Sequence, residues 1–203
     1  LGVFSGMGLM KSAKLAPDAI LLPANFDAYR THSRKFKAAV ASIAPKIEDR
    51  GIDEIYVDLS DIAEETNSLA RRIKKAVFEA TGLTCSIGIS PNKLLSKICS
   101  DLDKPDGITL LGMDEIPARI WPLPAKKING IGPKSSQKLA LFGINTIGEL
   151  AATPAEFLVK HFGCSAGTWL HKAAHGVDER RIVTESEPKS ISRESTFERD
   201  LHA

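Results

Sequence analysis

The sequence predicts an α+β fold in which helices pack on a mostly antiparallel sheet and a small all-helical part follows. Patterns of strand and helix alternate between residues 46 and 111, which indicates helices layered on a sheet. The pattern then changes to short helices separated by glycines, after a proline-containing stretch. We therefore place a domain boundary near residues 112–120.

The first half of the chain divides into short elements. A helix over 11–15 and a short strand over 19–22 precede a helix over 26–44, in which apolar residues recur with a period near 3.6. The elements predicted after it are a hairpin of 46–49 and 55–59 around Arg50-Gly51-Ile52, a helix over 67–80 capped by Thr66 or Asn67 and ended by Gly82, a strand over 84–89, a helix over 92–100 and a strand over 107–111.

The second half is predicted to be helical. Helix pairs separated by glycines occupy residues 126–142 and 146–163. Residues 184–189 are polar and contain a proline, which is typical of a linker. Residues 190–201 then resemble the start of a strand-rich domain.

Composition limits the kind of protein. The net charge is +2, but residues 116–183 carry nine basic and four acidic side chains, a local excess of +5 that favours contact with phosphates. No apolar run approaches the ~20 residues of a membrane helix. Cys85, Cys99 and Cys164 show no CxxC spacing, and the first two read as core residues, which fits the reducing cytoplasm better than secretion.

Two adjacent carboxylates are the strongest sign of chemistry. Asp53 and Glu54 open a segment that alternates as a β-strand, with Ile55 and Val57 on one face and Tyr56 on the other. Acidic side chains at a strand's beginning suit Mg²⁺, which takes one or two carboxylates together with substrate phosphates. An adjacent Asp-Glu pair is also common on surfaces, so the pair alone does not establish a metal site.

Further polar residues of the first half have two interpretations. Lys104 lies in a turn, where a lysine either binds phosphate or is merely solvated. Lys93 and Lys97 are spaced i, i+4 on one helix, and that face meets either a nucleic-acid backbone or water. For Asp58 an internal hydrogen bond is favoured over a third metal ligand.

Residues 128–134 have the form of a helix-hairpin-helix. Gly130 and Gly132 allow backbone N–H groups to approach a phosphate, and the next helix offers its positive N-terminus. Ile128 and Ile131 anchor the loop, and Lys134 lies beside it. Such a loop binds the DNA backbone without reading bases.

One possible metal site is disfavoured. His171 and His175 are spaced i, i+4 with Cys164 upstream, but no fourth ligand lies at a sensible spacing for zinc.

The order of motifs along the chain resembles a known family. The segments GIDEIYVDLS, TCSIGISPNKLLSKICSDLDKPDG, INGIGPKSSQKLALFGINTIGEL, HGVDERRI and KSISRESTFERDL together resemble the Y-family (translesion) DNA polymerases of the bacterial DNA polymerase IV type. They occur in the family's order and spacing and cover nearly the whole chain.

The resemblance implies a domain organisation. Residues 1–25 would be part of the fingers, 26–115 the palm, 116–183 the thumb with the helix-hairpin-helix, and 184–203 a linker and the start of the little-finger domain. The turn Ser5-Gly6-Met7 would lie over the nascent base pair, although a plain turn explains it as well. Leu1 is not a natural start. We therefore expect a fragment that lacks the first palm strand, with its aspartate and steric-gate aromatic, and a tyrosine-arginine pair that grips triphosphate.

The resemblance also implies roles for single residues. Asp53 and Glu54 would bind two catalytic Mg²⁺ ions and Lys104 would bind the triphosphate of a dNTP. DNA would be contacted by the residues Gly130, Gly132, Lys134, Lys93, Lys97 and Arg193.

The implied reaction is template-directed nucleotidyl transfer on primer-template DNA. A sliding clamp would be a further partner, through a C-terminal region outside this chain. Two alternatives remain open: a catalytically inactive module that only binds DNA, and a nucleotide cyclase, which shares palm-like chemistry but does not need a helix-hairpin-helix.

Overall fold

The computed structural model describes residues 1–185, 187, 190–195 and 197. Helices and strands are interleaved in its first half, and only helices follow. The helices are α1 (Leu9–Leu15), α2 (Phe26–Ala41), α3 (Thr66–Thr81), α4 (Lys93–Leu102), α5 (Ile116–Arg119), α6 (Pro133–Leu141), α7 (Ile147–Ala152), α8 (Ala155–Phe162) and α9 (Cys164–Ala174). The strands are β1 (Ile47–Asp49), β2 (Ile55–Val57), β3 (Ile87–Ile89) and β4 (Ile108–Leu110).

The four strands form two separate two-stranded ladders. Strands β1 and β2 are antiparallel, with Glu48 opposite Tyr56. Strands β3 and β4 are parallel, because the chain crosses between them through helix α4. The predicted α+β class is confirmed, but within the described residues the sheet is not mostly antiparallel: one ladder of each sense is present. A Cβ on Gly88 of β3 would lie 2.2 Å from the Ser96 carbonyl oxygen, so this glycine lets α4 pack closely on the strand.

Helices α2 and α3 cover one face of the ladders. Their buried residues Val40, Leu69, Ile73 and Val77 form one apolar core, against which Ile55, Val57 and Ile87 of the strands pack. The predicted faces of the β2 strand are therefore confirmed. Helix α3 is capped by Glu65, whose carboxylate accepts from the Asn67 and Ser68 N–H groups, rather than by Thr66 or Asn67. Gly82 ends the helix with φ of 71°, as predicted.

A second apolar core extends from α4 to α9. It is built around fully buried side chains, among them Leu95, Ile128, Leu139, Ile147 and Leu158. This core continues across residues 112–120 and shows no break there. It does not test the domain boundary predicted for that stretch, which stays a prediction. Cys99 belongs to this core and Cys85 packs against the first one, as predicted. Burial raises the pKa of the Cys99 thiol to about 11, so it is a structural residue.

Strands were predicted near both ends of the chain, over 19–22 and from residue 190 onward. The strand predicted over 19–22 is wrong: the segment has no strand conformation, and the side chain of Ile20 is 88% exposed, because no neighbouring strand pairs with it among the described residues. At the other end, residues 190–195 are not in a strand. The rest of the expected strand-rich start falls largely on positions 196 and 198–201, outside the described residues, as do positions 186, 188 and 189 of the linker.

No helix among the described residues combines the length and the apolar character that crossing a membrane requires.

Candidate active site

Asp53 and Glu54 lie in the turn of the β1–β2 hairpin, just before β2 begins, as predicted. The turn is closed by the Arg50 N–H, which donates to the Glu54 carbonyl oxygen at 3.1 Å. Gly51 adopts φ of 132°, a conformation that side chains other than glycine rarely accept. Both residues are exposed, so a cation from solvent can reach both carboxylates.

Helix α2 fixes the hairpin turn from the side. Lys37 Nζ donates to Asp49 Oδ2 at 2.7 Å and to the Gly51 carbonyl oxygen at 2.6 Å. The Gly51 N–H in turn donates to Asp49 Oδ1 at 2.9 Å. The hydrogen bonds from Lys37 and Gly51 keep the pKa of Asp49 below its usual value. Asp49 is therefore a turn residue that holds the loop in which Asp53 and Glu54 stand.

Lys97 of helix α4 reaches across to the acidic pair. Its ammonium group contacts Glu54 Oε1 directly. Partial burial lowers the pKa of Lys97, but the hydrogen bond to the Glu54 carboxylate outweighs it, so the pKa lies above its usual value. Lys97 therefore stays charged at neutral pH, next to a carboxylate that would ligate metal.

Lys104 follows α4 and points to the same region. Its Nζ lies 2.6 Å from Asp101 Oδ1, and the lysine side chain is 56% exposed. Burial raises the pKa of Asp101, but the hydrogen bond from Lys104 lowers it below its usual value. An exposed ion pair of this kind is weak, so an arriving phosphate can displace the carboxylate.

A cleft of about 1030 Å³ connects these side chains. Its walls come from the β2 segment, including Asp53 and Glu54, and from the β3 segment, while its floor comes from α2 and α3. Lys97 and Lys104 line it as well. Within the described residues, β2 pairs only with β1 and β3 only with β4, so the facing edges of the two ladders carry free backbone groups.

The described residues contain no group of three or more His, Cys, Asp or Glu side chains arranged to hold a metal ion. Asp53 and Glu54 fit a hard cation as two ligands out of a larger set, since Mg²⁺ needs octahedral oxygen ligation. Asp58 Oδ1 accepts from the Ser60 N–H at 2.9 Å, in line with the internal hydrogen bond favoured for it. His175 Nδ1 lies 2.8 Å from the His171 carbonyl oxygen, which is a local helix-end contact.

Lys93 is placed differently from expectation. It is only 8% exposed, and its Nζ donates to Glu48 Oε2 at 2.7 Å and to the Arg181 carbonyl oxygen at 2.7 Å. The ammonium group of Lys93 is therefore bonded to two groups of the chain itself, which argues against the DNA contact expected of Lys93. The i, i+4 spacing to Lys97 was correct as geometry, but the first turn of α4 is covered by other parts of the chain.

Glu48 and Asp178 are structurally important residues that the sequence did not reveal. Burial raises the pKa of Glu48, but hydrogen bonds from Lys93 and from the Val183 N–H outweigh it, and the pKa lies below its usual value. The Asp178 carboxylate accepts from the Leu94 N–H at 3.0 Å. A period-2 strand pattern marks Glu48 as a polar position, but nothing local shows that its partner is 45 residues away.

The helix-hairpin-helix loop is present between a 3₁₀ turn at Ala125–Lys127 and helix α6. Ile128 and Ile131 are buried, as expected of anchors. Gly130 adopts φ of 113° and packs against Trp169, where an added Cβ would lie 2.7 Å from the ring. A Cβ on Gly132 would meet nothing within 4 Å. Gly132 therefore leaves open the space in front of the α6 N-terminus.

Two further predicted positions are exposed. Lys134 is exposed in the first turn of α6. Arg193 is exposed and lies in irregular chain. The Ser5-Gly6-Met7 segment forms a turn with φ of 83° at Gly6.

Comparisons with known proteins match both halves of the chain. Residues 1–101 match the model of the impB/mucB/samB family, and residues 126–178 match the model of the DNA polymerase-iota thumb domain. The DNA polymerase IV of Methanoculleus marisnigri is 39% identical over 201 residues, which cover 98% of this chain and 56% of that protein. The DNA polymerase IV of Moorella thermoacetica is 36% identical over 204 residues, covering 98% and 51%.

A solved structure shows the same fold. A Y-family DNA polymerase chimera superposes with a TM-score of 0.80 at 29% identity, covering 92% of this chain and 56% of that one. The chain thus spans about half the length of the curated relatives it matches. The two family models, the relatives named DNA polymerase IV and the shared fold agree, and this chain belongs to the Y-family of DNA polymerases, in the group of DNA polymerase IV.

Proposed function

We propose that this chain forms part of the catalytic centre of a translesion DNA polymerase, which adds dNTPs to a primer end as a template directs. One observation carries the proposal. Asp53 and Glu54 stand on the rim of a cleft that Lys97 and Lys104 also line, so carboxylates for metal and cations for phosphate share one space. Family membership and the relatives' names support the same reaction.

Asp53 and Glu54 are the residues that would hold the metal. When two Mg²⁺ ions are bound, they activate the attacking oxygen and stabilise the leaving group. The chain's own contribution is position: Lys37 and Asp49 fix the turn, and Lys97 holds Glu54 until a cation takes the carboxylate.

The cleft is the proposed place of the remaining ligand. Two strand edges with free backbone groups face each other across it, above an apolar floor that includes Val40 and Ile73. An extended strand inserted there would pair with both edges and join the two ladders into one sheet. An aspartate on that strand, as the family resemblance implies, would stand next to Asp53 and complete the metal site.

Lys104 is proposed to bind the triphosphate of the incoming dNTP. It is an exposed cation of the cleft, and its carboxylate partner, Asp101, lies three residues earlier in the last turn of α4. Exchange of that partner for a phosphate costs little, because both groups already contact water.

The helix-hairpin-helix loop is proposed to hold the DNA backbone. The open space in front of Gly132, together with the N–H groups of the first turn of α6, fits a phosphate oxygen. Lys134 adds a charge at the same end of the helix, and the excess of +5 over residues 116–183 favours a nucleic-acid partner.

Primer extension by the full-length protein tests the proposal. Asp53→Ala should abolish extension while DNA affinity stays close to that of the unchanged protein, because the loop at Gly132 is untouched. Asp61→Ala is the matched control, since Asp61 is an exposed acid paired with Lys46 and does not line the cleft. Extension by the Asp53 variant at near the normal rate would contradict the assignment.

A DNA-binding module without catalysis remains the second candidate. It is favoured by the absence of a third acidic ligand among the described residues. It predicts that the Asp53 and Asp61 variants behave alike, because neither acid would then have a chemical role.

A further inference from the structure

The first turn of α4 captures the segment that follows α9. We call residues 176–183 the exit segment, because they lead from the last helix toward the end of the chain. We call Asn92, Lys93 and Leu94, together with Glu48 of β1, the dock. The two meet across 84 to 135 residues of sequence.

Two contacts of the dock are made at the helix end itself. Asn92 caps α4 by accepting from the Leu95 N–H at 3.0 Å, and its Nδ2 donates to the Gly176 carbonyl oxygen at 2.7 Å. The Leu94 N–H has no partner within the helix and donates to Asp178 Oδ2 at 3.0 Å. A carboxylate at this place is also favoured by the helix dipole.

The other two contacts join the exit segment to a buried ion pair between Glu48 and Lys93. Glu48 is 7% exposed and Lys93 is 8% exposed. Lys93 also donates to the Arg181 carbonyl oxygen, and Glu48 Oε2 also accepts from the Val183 N–H at 2.9 Å. Buried charges are tolerated when additional hydrogen bonds complete their partners. Each charge of this pair is therefore fully satisfied only while the exit segment is in place.

The dock is continuous with the candidate active site. Glu48 lies directly opposite Tyr56 on the hairpin whose turn carries Asp53 and Glu54. One turn after Lys93 on α4, Lys97 contacts Glu54. The hairpin, helix α4 and the exit of the helical part therefore meet at one buried point.

We propose that Glu48 and Lys93 are positioning residues that lock the hairpin to the exit segment. The lock sets the distance between the metal ligands on the hairpin and the DNA that the helix-hairpin-helix holds. The kinetic part of this inference rests on the proposed polymerase function, whereas the lock itself does not. Lys93 lines the cleft, but its ammonium group is occupied by Glu48 and the Arg181 carbonyl oxygen, so the inferred role needs no contact of either residue with DNA, dNTP or metal.

Three variants of the full-length protein separate the roles. Lys93→Met removes the ammonium group. Glu48→Met/Lys93→Met removes both charges with unbranched side chains of similar length, so it folds even where the single change leaves the buried Glu48 with only the Arg50 guanidinium, 3.6 Å away, as a cationic partner. Asn92→Ser keeps a side chain that caps the helix but is too short to reach Gly176, and it leaves the hairpin untouched.

The matched control is Lys75→Met. Lys75 pairs with Glu79 on α3 at 2.8 Å, with both side chains well exposed, so the same lysine is removed from an ion pair outside the dock. The measurements are amide hydrogen exchange along the chain and single-turnover primer extension. The rate of nucleotide incorporation in the single turnover, called the turnover rate below, is determined separately from the DNA affinity.

The dock variants should raise exchange at Val183 and Leu94 by about tenfold or more, while amides of α3 stay protected. The turnover rate should fall by about tenfold or more with DNA affinity changed less than twofold, since small misplacement of reacting groups slows chemistry strongly. Lys75→Met should change neither. A merely structural role predicts loss of DNA affinity and turnover together, in proportion to unfolding.

Two results would overturn the inference. Unchanged exchange at Val183 in the double variant would show that the pair does not hold the exit segment. Increased exchange with a normal turnover rate would show that the lock does not position the site. If the unchanged protein extends no primer, the proposed function fails, and the exchange data alone still decide whether the lock exists.

Discussion

Two glycines of one loop are under different constraints. Gly130 has a positive φ and lies against Trp169, whereas Gly132 has ordinary backbone angles and faces open space. The sequence shows both simply as glycines at the spacing of a phosphate-binding loop. The structure separates a glycine required for packing from one that keeps space free for a ligand.

The pair gives an internally matched prediction. Gly130→Ala should destabilise the protein by about 1–3 kcal/mol, because alanine at this φ is strained and its Cβ meets the tryptophan ring. Gly132→Ala should leave the unfolding midpoint unchanged and weaken DNA binding. Thermal unfolding and DNA titration of both variants measure the two effects. Equal loss of stability in both would contradict the distinction.

Single residues also show where sequence reasoning ends. Asp53 and Glu54 could be placed at the start of a strand because the glycine turn and the period-2 pattern are local signals. Lys93 could not be recognised as buried, because its partner Glu48 belongs to another element. Local patterns report on neighbours along the chain, and ion pairs across the fold are outside their reach.

Among the elements, α6 is the one whose proposed contact with DNA can be tested by the salt dependence of binding. Its N-terminus carries Lys134 beside the open space at Gly132. Non-specific binding to phosphates depends on salt through counterion release, and it carries no preference for sequence.

Lys134→Gln should therefore reduce the log–log salt slope of DNA binding by ~0.9, the contribution of one neutralised phosphate. The change should be the same on two unrelated duplexes. Titrations over a salt series measure it, with Lys75→Gln as the control because Lys75 lies on α3, away from the loop. An unchanged slope would mean that the loop only connects helices.

Element types were predicted better than their partners. The hairpin and helix α4 were found from turn residues and periodicity, and Asn92 caps α4 as its side chain suggests. The strand expected over 19–22 failed because an apolar run forms a strand only where another strand pairs with it. The parallel sense of β3 and β4 follows from the crossover through α4, which the sequence pattern did contain.

At the scale of the molecule, the cleft between the two ladders decides what this chain can do alone. Asp53 and Glu54 provide only two carboxylates, and the described residues offer no third in reach. Local patterns of the sequence do not indicate a cleft of this kind, since it arises from how the ladders pack on α2 and α3; only the family resemblance implied a missing strand.

The isolated 203-residue chain should therefore show no primer extension, although it should still bind duplex DNA through the loop at Gly132. Primer extension and a gel-shift assay on one preparation measure both, and retained DNA binding shows that the chain is folded. Template-dependent incorporation would mean that other carboxylates of the chain complete the metal site.

The contact between Glu48 and Val183 has a consequence for the order of folding. The two residues are 135 positions apart, and contacts over such distances form late because a long loop must close first. During synthesis, the hairpin emerges well before the segment that completes its buried charge. The hairpin therefore lacks its contact with the exit segment until nearly the whole helical half has been synthesised. A ribosome that stalls before residue 183 leaves Glu48 without the hydrogen bond from the Val183 N–H.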